Sequence, residues 1–182
     1  IPIFFYSILS DGSAEQNKIA FFQIGFFMSF WIMFYGGIQA LTPRILKAAK
    51  RPFSQIVKLT SVAILLLTII LLMLTVIITM NLISEFAYFN VIVISLFVFG
   101  FVFAIASSLH SYLILAFSGA ERVTLDVGFY YMSNATGRLI GTFLSGASYQ
   151  FGGLTACLAC ATLMCLFSWL LTFPLINITN SK

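Results

Sequence analysis

The sequence predicts an all-α integral membrane protein, built as a polytopic helical bundle. Of its 182 residues, 61% are hydrophobic and only 8% are charged, whereas soluble domains are about one quarter charged. Several apolar runs reach the length of about 20 residues that a helix needs to cross a bilayer. These runs are continuous, whereas the strands of a membrane barrel alternate at period two over about ten residues. The lipid bilayer is therefore the first partner that the sequence predicts.

Five full spans and one partial span follow from these runs. The partial span covers residues 1–9 and is too short to cross a bilayer. We interpret it as the end of a truncated helix, so residues 1–182 are expected to be one transmembrane domain, the C-terminal half of a larger protein whose N-terminal half is missing. The full spans are predicted at residues 19–41, 57–80, 89–117, 127–149 and 154–174.

The segments between the spans are short and carry turn signals. Residues 10–18 form a polar loop, and a basic loop follows the first full span, with Pro43 and Pro52 as helix breakers. The sequence QFGG at residues 150–153 predicts a tight turn. Pro174 is expected to end the last span, before a polar tail.

The distribution of Lys and Arg predicts the orientation, because short cytoplasmic loops are enriched in these residues. One side carries Lys18 alone. The other side carries Arg44, Lys47, Lys50, Arg51, Lys58, Arg122 and Lys182. We therefore expect a multi-pass protein of the cell (inner) membrane, with its basic loops and C-terminus in the cytoplasm.

Arg138 interrupts the fourth full span, in the stretch NATGRLIGTFLSG at residues 134–146. It follows Asp126 by 12 residues, roughly 18 Å along a helix and more than halfway through a hydrocarbon core of about 30 Å. A cation at this depth costs at least about 2.5–3.5 kcal/mol. We therefore expect its side chain to face the interior of a bundle or a water-filled cavity.

The residues around Arg138 suggest a substrate site. Tyr131, Asn134, Arg138 and Thr142 recur at helical spacing and share one face. A guanidinium forks naturally onto carboxylate or phosphate oxygens, which predicts a small anionic substrate. The alternative is a structural role, in which Arg138 pairs with a carboxylate on a missing helix or bonds backbone carbonyls.

No acidic residue inside the predicted spans could neutralise Arg138. The acidic residues lie in loops or at span edges, namely Asp11, Glu15, Glu85, Glu121 and Asp126. The absence of a charge partner within the predicted spans favours a bound anion or a partner in the missing half.

Two further candidates for substrate contact are weaker. His110 is the only histidine, and it lies among serines near the end of the third full span. It is interpreted either as a proton relay or substrate contact, or as a hydrogen-bonding residue between helices. Gln39 lies near the end of the first full span, beside the Gly36–Gly37 pair.

Other classes of function lack their sequence signatures. No HExxH motif, P-loop, nucleophile elbow or carboxylate pair occurs within a span, so we expect neither an enzyme nor a cofactor. Cys157, Cys160 and Cys165 share one apolar stretch, where small residues pack helices, and no metal site is predicted. The few basic residues belong mostly to one loop, so nucleic acid is not an expected partner.

The helix order, with its basic loop after the first full span and its cytoplasmic C-terminus, resembles the second half of a major facilitator superfamily transporter. The resemblance implies that the partial span is the end of helix seven and that the full spans are helices eight to twelve. Such transporters work by alternating access about a midplane site.

Three stretches resemble the organoarsenical efflux permeases of this superfamily. They are YGGIQALTPRIL, SSLHSYLILAFS and VGFYYMSNATGRLIGTFLSGASYQFGGLTACL. The family's genes lie beside a glyceraldehyde-3-phosphate dehydrogenase gene in bacterial arsenic operons. The resemblance implies export of 1-arseno-3-phosphoglycerate, a small and highly anionic cargo, and a functional link to that dehydrogenase. A non-transporting membrane subunit or scaffold, in which Arg138 pairs helices, is the alternative function.

Overall fold

A computed structural model describes residues 2–47, 50–82, 84–118 and 122–180, and its regular elements in those ranges are all helices. They are α1 (Pro2–Leu9), α2 (Ala14–Ile45), α3 (Phe53–Thr79), α4 (Glu85–Phe117), α5 (Val123–Leu170) and α6 (Phe173–Asn180). Four stretches are long and apolar enough to cross a membrane, namely Ala14–Ile45, Phe53–Thr79, Ala87–Phe117 and Val123–Ile176. The predicted class, a bundle of apolar membrane helices, is confirmed at this level.

Helix α5 reverses direction in its middle. Gly152 (φ −157°, ψ 27°) and Gly153 (φ 60°, ψ −149°) leave helical geometry, and they divide α5 into a first arm (residues 123–151) and a second arm (residues 154–170). The Sγ atom of Cys157 lies 3.2 Å from the carbonyl oxygen of Ser145, although a straight helix would separate these residues by roughly 18 Å. The arms therefore lie side by side, and the predicted turn at residues 150–153 is present.

The loop before α2 is shorter than predicted, because its polar residues begin the helix. Ser13 is the N-cap of α2, and its hydroxyl accepts a hydrogen bond from the backbone N–H of Gln16 at 3.2 Å. Asp11 in turn accepts from the backbone N–H of Ser13 at 2.9 Å. That N–H is the main reason why the pKa of Asp11 is lowered. Capping places the helix start at Ala14, so the loop covers residues 10–13 only.

Two proline predictions are wrong and one is confirmed. Pro43 lies inside the last turn of α2, which continues to Ile45, so the lost donor and the ring clash that a proline introduces fall where little of the helix remains. Pro174 does not end the last span, since α5 has already ended at Leu170 and Pro174 lies in the first turn of α6, where its fixed φ is favourable. Pro52 is the N-cap of α3, as a helix breaker should be.

The helices alternate in direction. At one end of the bundle, Ile56 and Val57 at the start of α3 pack with Leu109 and Leu113 near the end of α4. At the other end, the late α3 residues pack with the early residues of α4 and of the second arm, in a cluster that includes Leu74, Ile78, Ile92, Leu154 and Leu158. The core thus lies along α3, which has more of the described buried residues than any other helix, between α4 and the second arm.

The first arm of α5 lies at the edge of this bundle. All residues from 131 to 143 are exposed, including Leu139 at 73% and Phe143 at 76%. Such large exposed apolar side chains suit contact with lipid rather than water. Arg138 therefore lies on a helical arm that has no buried residue. The surroundings of its side chain are set by the cleft between this arm and its neighbours.

Candidate functional site

An open cleft lies between α2, α4 and the first arm of α5. Its volume is about 700 Å³, and we call it the Arg138 cleft. Gln39 of α2 and Tyr131, Asn134 and Arg138 of the first arm all line it. Four of the six residues predicted from sequence to contact substrate therefore share one cavity. The alternating direction of the helices explains this, because it brings the C-terminal parts of α2 and α4 beside the N-terminal part of α5.

Arg138 is the only charged residue among the described residues that line the cleft. Within the described ranges, the structure gives its guanidinium no ion pair and no hydrogen bond. Glu121, one of the five acidic residues considered above, lies outside these ranges. An unpaired guanidinium in a partly apolar cleft attracts an anion more strongly than it would in water, because the local dielectric is lower.

Thr142 does not line the cleft. Its side chain is exposed, and its hydroxyl donates to the carbonyl oxygen of Arg138 at 2.8 Å. This bond within the helix is common for threonine in apolar surroundings, because it satisfies the hydroxyl locally. The structure thus places Thr142 beside Arg138 along the arm but outside the cavity, and a role in substrate contact stays a prediction.

His110 faces a second cavity. This side cavity, of about 440 Å³, lies between α3, α4 and both arms of α5. The imidazole ring stacks on the ring of Tyr130, with centroids 6.0 Å apart and planes 27° apart. The two cavities share Phe103, Ser107, Tyr130 and Asn134 as walls. His110 and Arg138 therefore line different, adjacent cavities.

An aromatic wall of the Arg138 cleft was not predicted from the sequence. Trp31 stacks on Tyr35 with centroids 5.9 Å apart, and Tyr35 stacks on Phe103 with centroids 5.5 Å apart. The spacing of α2 does indicate such a wall, because Trp31, Tyr35 and Gln39 recur every four residues on one helix face. Aromatic residues are so frequent in this chain that the spacing does not stand out.

Among the described residues, two hydrogen bonds join pairs of cleft-lining residues that belong to different helices. Gln39 Nε2 donates to Ser107 Oγ at 3.3 Å, which joins α2 to α4. The hydroxyls of Ser111 and Tyr130 lie 3.1 Å apart, which joins α4 to the first arm. Gln39 thus has a protein partner already. Neither Ser107 nor Tyr130 is among the site residues that the sequence predicts.

Comparisons of the chain with protein-family models, with curated proteins and with solved structures give no match. One guanidinium, two carboxamides and several hydroxyls line the cleft, and such groups can bind and orient an anion.

Proposed function

We propose that this chain is the C-terminal half of a secondary transporter of the major facilitator type. It exports a small anionic metabolite, an organoarsenical phosphoglycerate, by alternating access across the cell inner membrane. The observation that carries the proposal is the unpaired Arg138 guanidinium on the wall of an open cleft, deep along an apolar helix. A cation in the membrane-spanning part of a helix is costly when it has no fixed partner, and a passing anion offsets that cost.

The arrangement of the helices supports five crossings. The reversal at Gly152–Gly153 makes two antiparallel arms from the last long apolar stretch, Val123–Ile176. In this proposal the two arms, with α2, α3 and α4, are the five membrane crossings, each antiparallel to the next. Arg44, Lys50 and Arg51 lie at the end of the bundle where α3 begins, and Arg122 lies where α5 begins, at the same end. By the charge rule that end is cytoplasmic; Lys182 lies outside the described residues.

In this mechanism the first arm presents Arg138 to the anion, while Asn134 and Tyr131, which precede Arg138 on the same helix face, supply hydrogen bonds. In a transporter of this type, an N-terminal half would close the open side of the cleft and add further cationic groups. Rocking of the two halves then exposes the cleft to alternate sides. The dehydrogenase that forms the cargo, glyceraldehyde-3-phosphate dehydrogenase, is the functional partner.

The decisive experiment measures export and protein abundance together. The full-length gene, expressed in an arsenate-sensitive bacterium with and without the dehydrogenase, should confer resistance only when both are present. Arg138→Ala should abolish this resistance while the amount of protein in the membrane stays near the wild-type level. Arg122→Ala is the matched control, because it removes the same side chain at an exposed position that precedes the same helix, outside the cleft. Wild-type resistance in Arg138→Ala would refute the proposal.

A second function, a non-transporting subunit or scaffold, is favoured by one observation. The exposed surface of the first arm includes Gly137 and Gly141, and a Cβ atom at either would meet nothing within 4 Å. Another helix could approach closely there, with Arg138 pairing to it. In that case Arg138→Ala would lower the abundance of the protein, and no anion flux would depend on the chain.

A further inference from the structure

The first arm of α5 is attached to the bundle at two places, on either side of Arg138. Near the reversal, Cys157 contacts the backbone of Ser145. Near the other end, Tyr130 contacts α4 through Ser111 and His110. Arg138 lies eight residues after Tyr130 and seven before Ser145, or roughly 12 Å and 10 Å along the helix.

The direction of the hydrogen bond between Tyr130 and Ser111 follows from counting protons. A serine hydroxyl has one proton, and Ser111 uses it to donate to the carbonyl oxygen of Ser107 at 3.0 Å. Tyr130 is therefore the donor in its 3.1 Å contact with Ser111. The bond sets the position of the hydroxyl, and the stack on His110 sets the plane of the ring.

This anchoring matters because the helix between the two attachment points has little other support. Every residue from 131 to 143 is exposed, so no packed core fixes the rotation of this segment. A turn of one residue position, about 100°, would move Arg138 away from the cleft and bring Leu139 toward it. Anchors at both ends oppose such a rotation.

We propose that Tyr130 is a positioning residue for the anion site. Its hydrogen bond to Ser111 fixes the rotation of the first arm and so directs Arg138 into the cleft. The transport consequence rests on the proposed function, whereas the rotation itself can be measured without transport.

Labelling of introduced cysteines measures the rotation. In a variant whose three native cysteines are serine, Arg138→Cys and Leu139→Cys are each labelled with a water-soluble methanethiosulfonate reagent in intact membranes. Tyr130→Phe keeps the ring and removes only the hydroxyl. It should slow labelling at position 138 and speed labelling at position 139, each severalfold. Ser111→Ala should do the same, because it removes the acceptor.

Transport kinetics give the second measurement. With Arg138 intact, Tyr130→Phe and Ser111→Ala should each raise KM for the exported anion about three- to tenfold, the size of one net hydrogen bond, with little change in maximal rate. The double variant should be no worse than either single variant, because both remove one interaction. Tyr149→Phe is the control, since it makes the same change on the same arm, and the described residues give Tyr149 no hydrogen bond.

The outcomes separate this inference from the proposed function. Unchanged labelling at positions 138 and 139 in both Tyr130→Phe and Ser111→Ala overturns the positioning role, even if Arg138→Ala abolishes export. Altered labelling together with normal export by Arg138→Ala keeps the positioning role and overturns the proposed function. Additive effects of the two variants on KM would also contradict a shared hydrogen bond.

Discussion

The indole of Trp31 lies directly against the backbone of Gly100. A Cβ atom built at Gly100 would lie 2.9 Å from Trp31 Nε1, and the same N–H group donates to the carbonyl oxygen of Leu96 at 3.1 Å. The ring is therefore held on α4 by a hydrogen bond that only a residue without a side chain at position 100 permits. Because Trp31 begins the stack that continues through Tyr35 and Phe103, this contact positions the aromatic wall of the cleft.

The first prediction concerns this contact. Gly100→Ala should destabilise the protein by about 1–3 kcal/mol, the usual cost of overpacking, and should displace the indole from Leu96. Thermal unfolding of the purified protein measures the loss, and the emission spectrum of Trp31 in a Trp169→Phe background reports the displacement. Gly36→Ala is the control, because a Cβ there meets nothing within 4 Å. Equal stability of the two variants would contradict the close contact.

The second prediction tests the reversal of α5. Ser145→Cys should form a disulfide with the native Cys157 under mild oxidation, because the Cys157 thiol lies beside the backbone of residue 145 across the hairpin. Peptide mass spectrometry after digestion should detect the linked pair, and adding Cys157→Ser should remove it. A continuous helix would hold the two thiols too far apart, so persistent absence of the linked peptide would argue against two arms.

The third prediction concerns the backbone of Gly153. Its φ of 60° and ψ of −149° lie at the edge of a backbone region that residues other than glycine rarely occupy. Gly153→Ala should therefore cost about 1–3 kcal/mol through backbone strain, although a Cβ there would meet no atom within 4 Å. Detergent-induced unfolding compared with Gly146→Ala, a substitution within regular helix, measures the difference. A loss no larger than that of Gly146→Ala would show that the turn tolerates a side chain.

The fourth prediction separates charge from shape at Arg138. Under the proposed function, Arg138→Lys keeps the positive charge but loses the planar fork that fits two oxygens at once. We expect it to export the anion with KM raised about tenfold and with its protein level unchanged. Arg138→Met, of similar length and without charge, should not export. Equal export by the lysine and methionine variants would mean that the charge plays no part in binding.

Part of the candidate site could be predicted because it follows from one helix. Tyr131, Asn134 and Arg138 share a face by spacing alone, and all three line the cleft. Thr142 has the same spacing, yet it lies outside the cleft. Whether a residue on this face lines the cleft depends on how far along the first arm α2 and α4 form the opposite walls. The polarity of Gln39 and His110 predicts that they contact substrate, and only the packing places them on different cavities. Ser107, Ser111 and Tyr130 were missed because their roles exist only between helices.

The sequence by itself determined the class of the protein and most of its element order. Apolar runs of bilayer length, a glycine pair at the reversal and a cluster of basic residues are local signals, and each acts through the chain's own backbone or its contact with lipid. The tertiary structure alone decided which helices enclose Arg138, that Trp31 rests on Gly100, and that Tyr130 anchors the first arm to Ser111. These relationships depend on the relative rotation of helices. That rotation is set by packing between residues distant in sequence, which helical spacing alone does not encode.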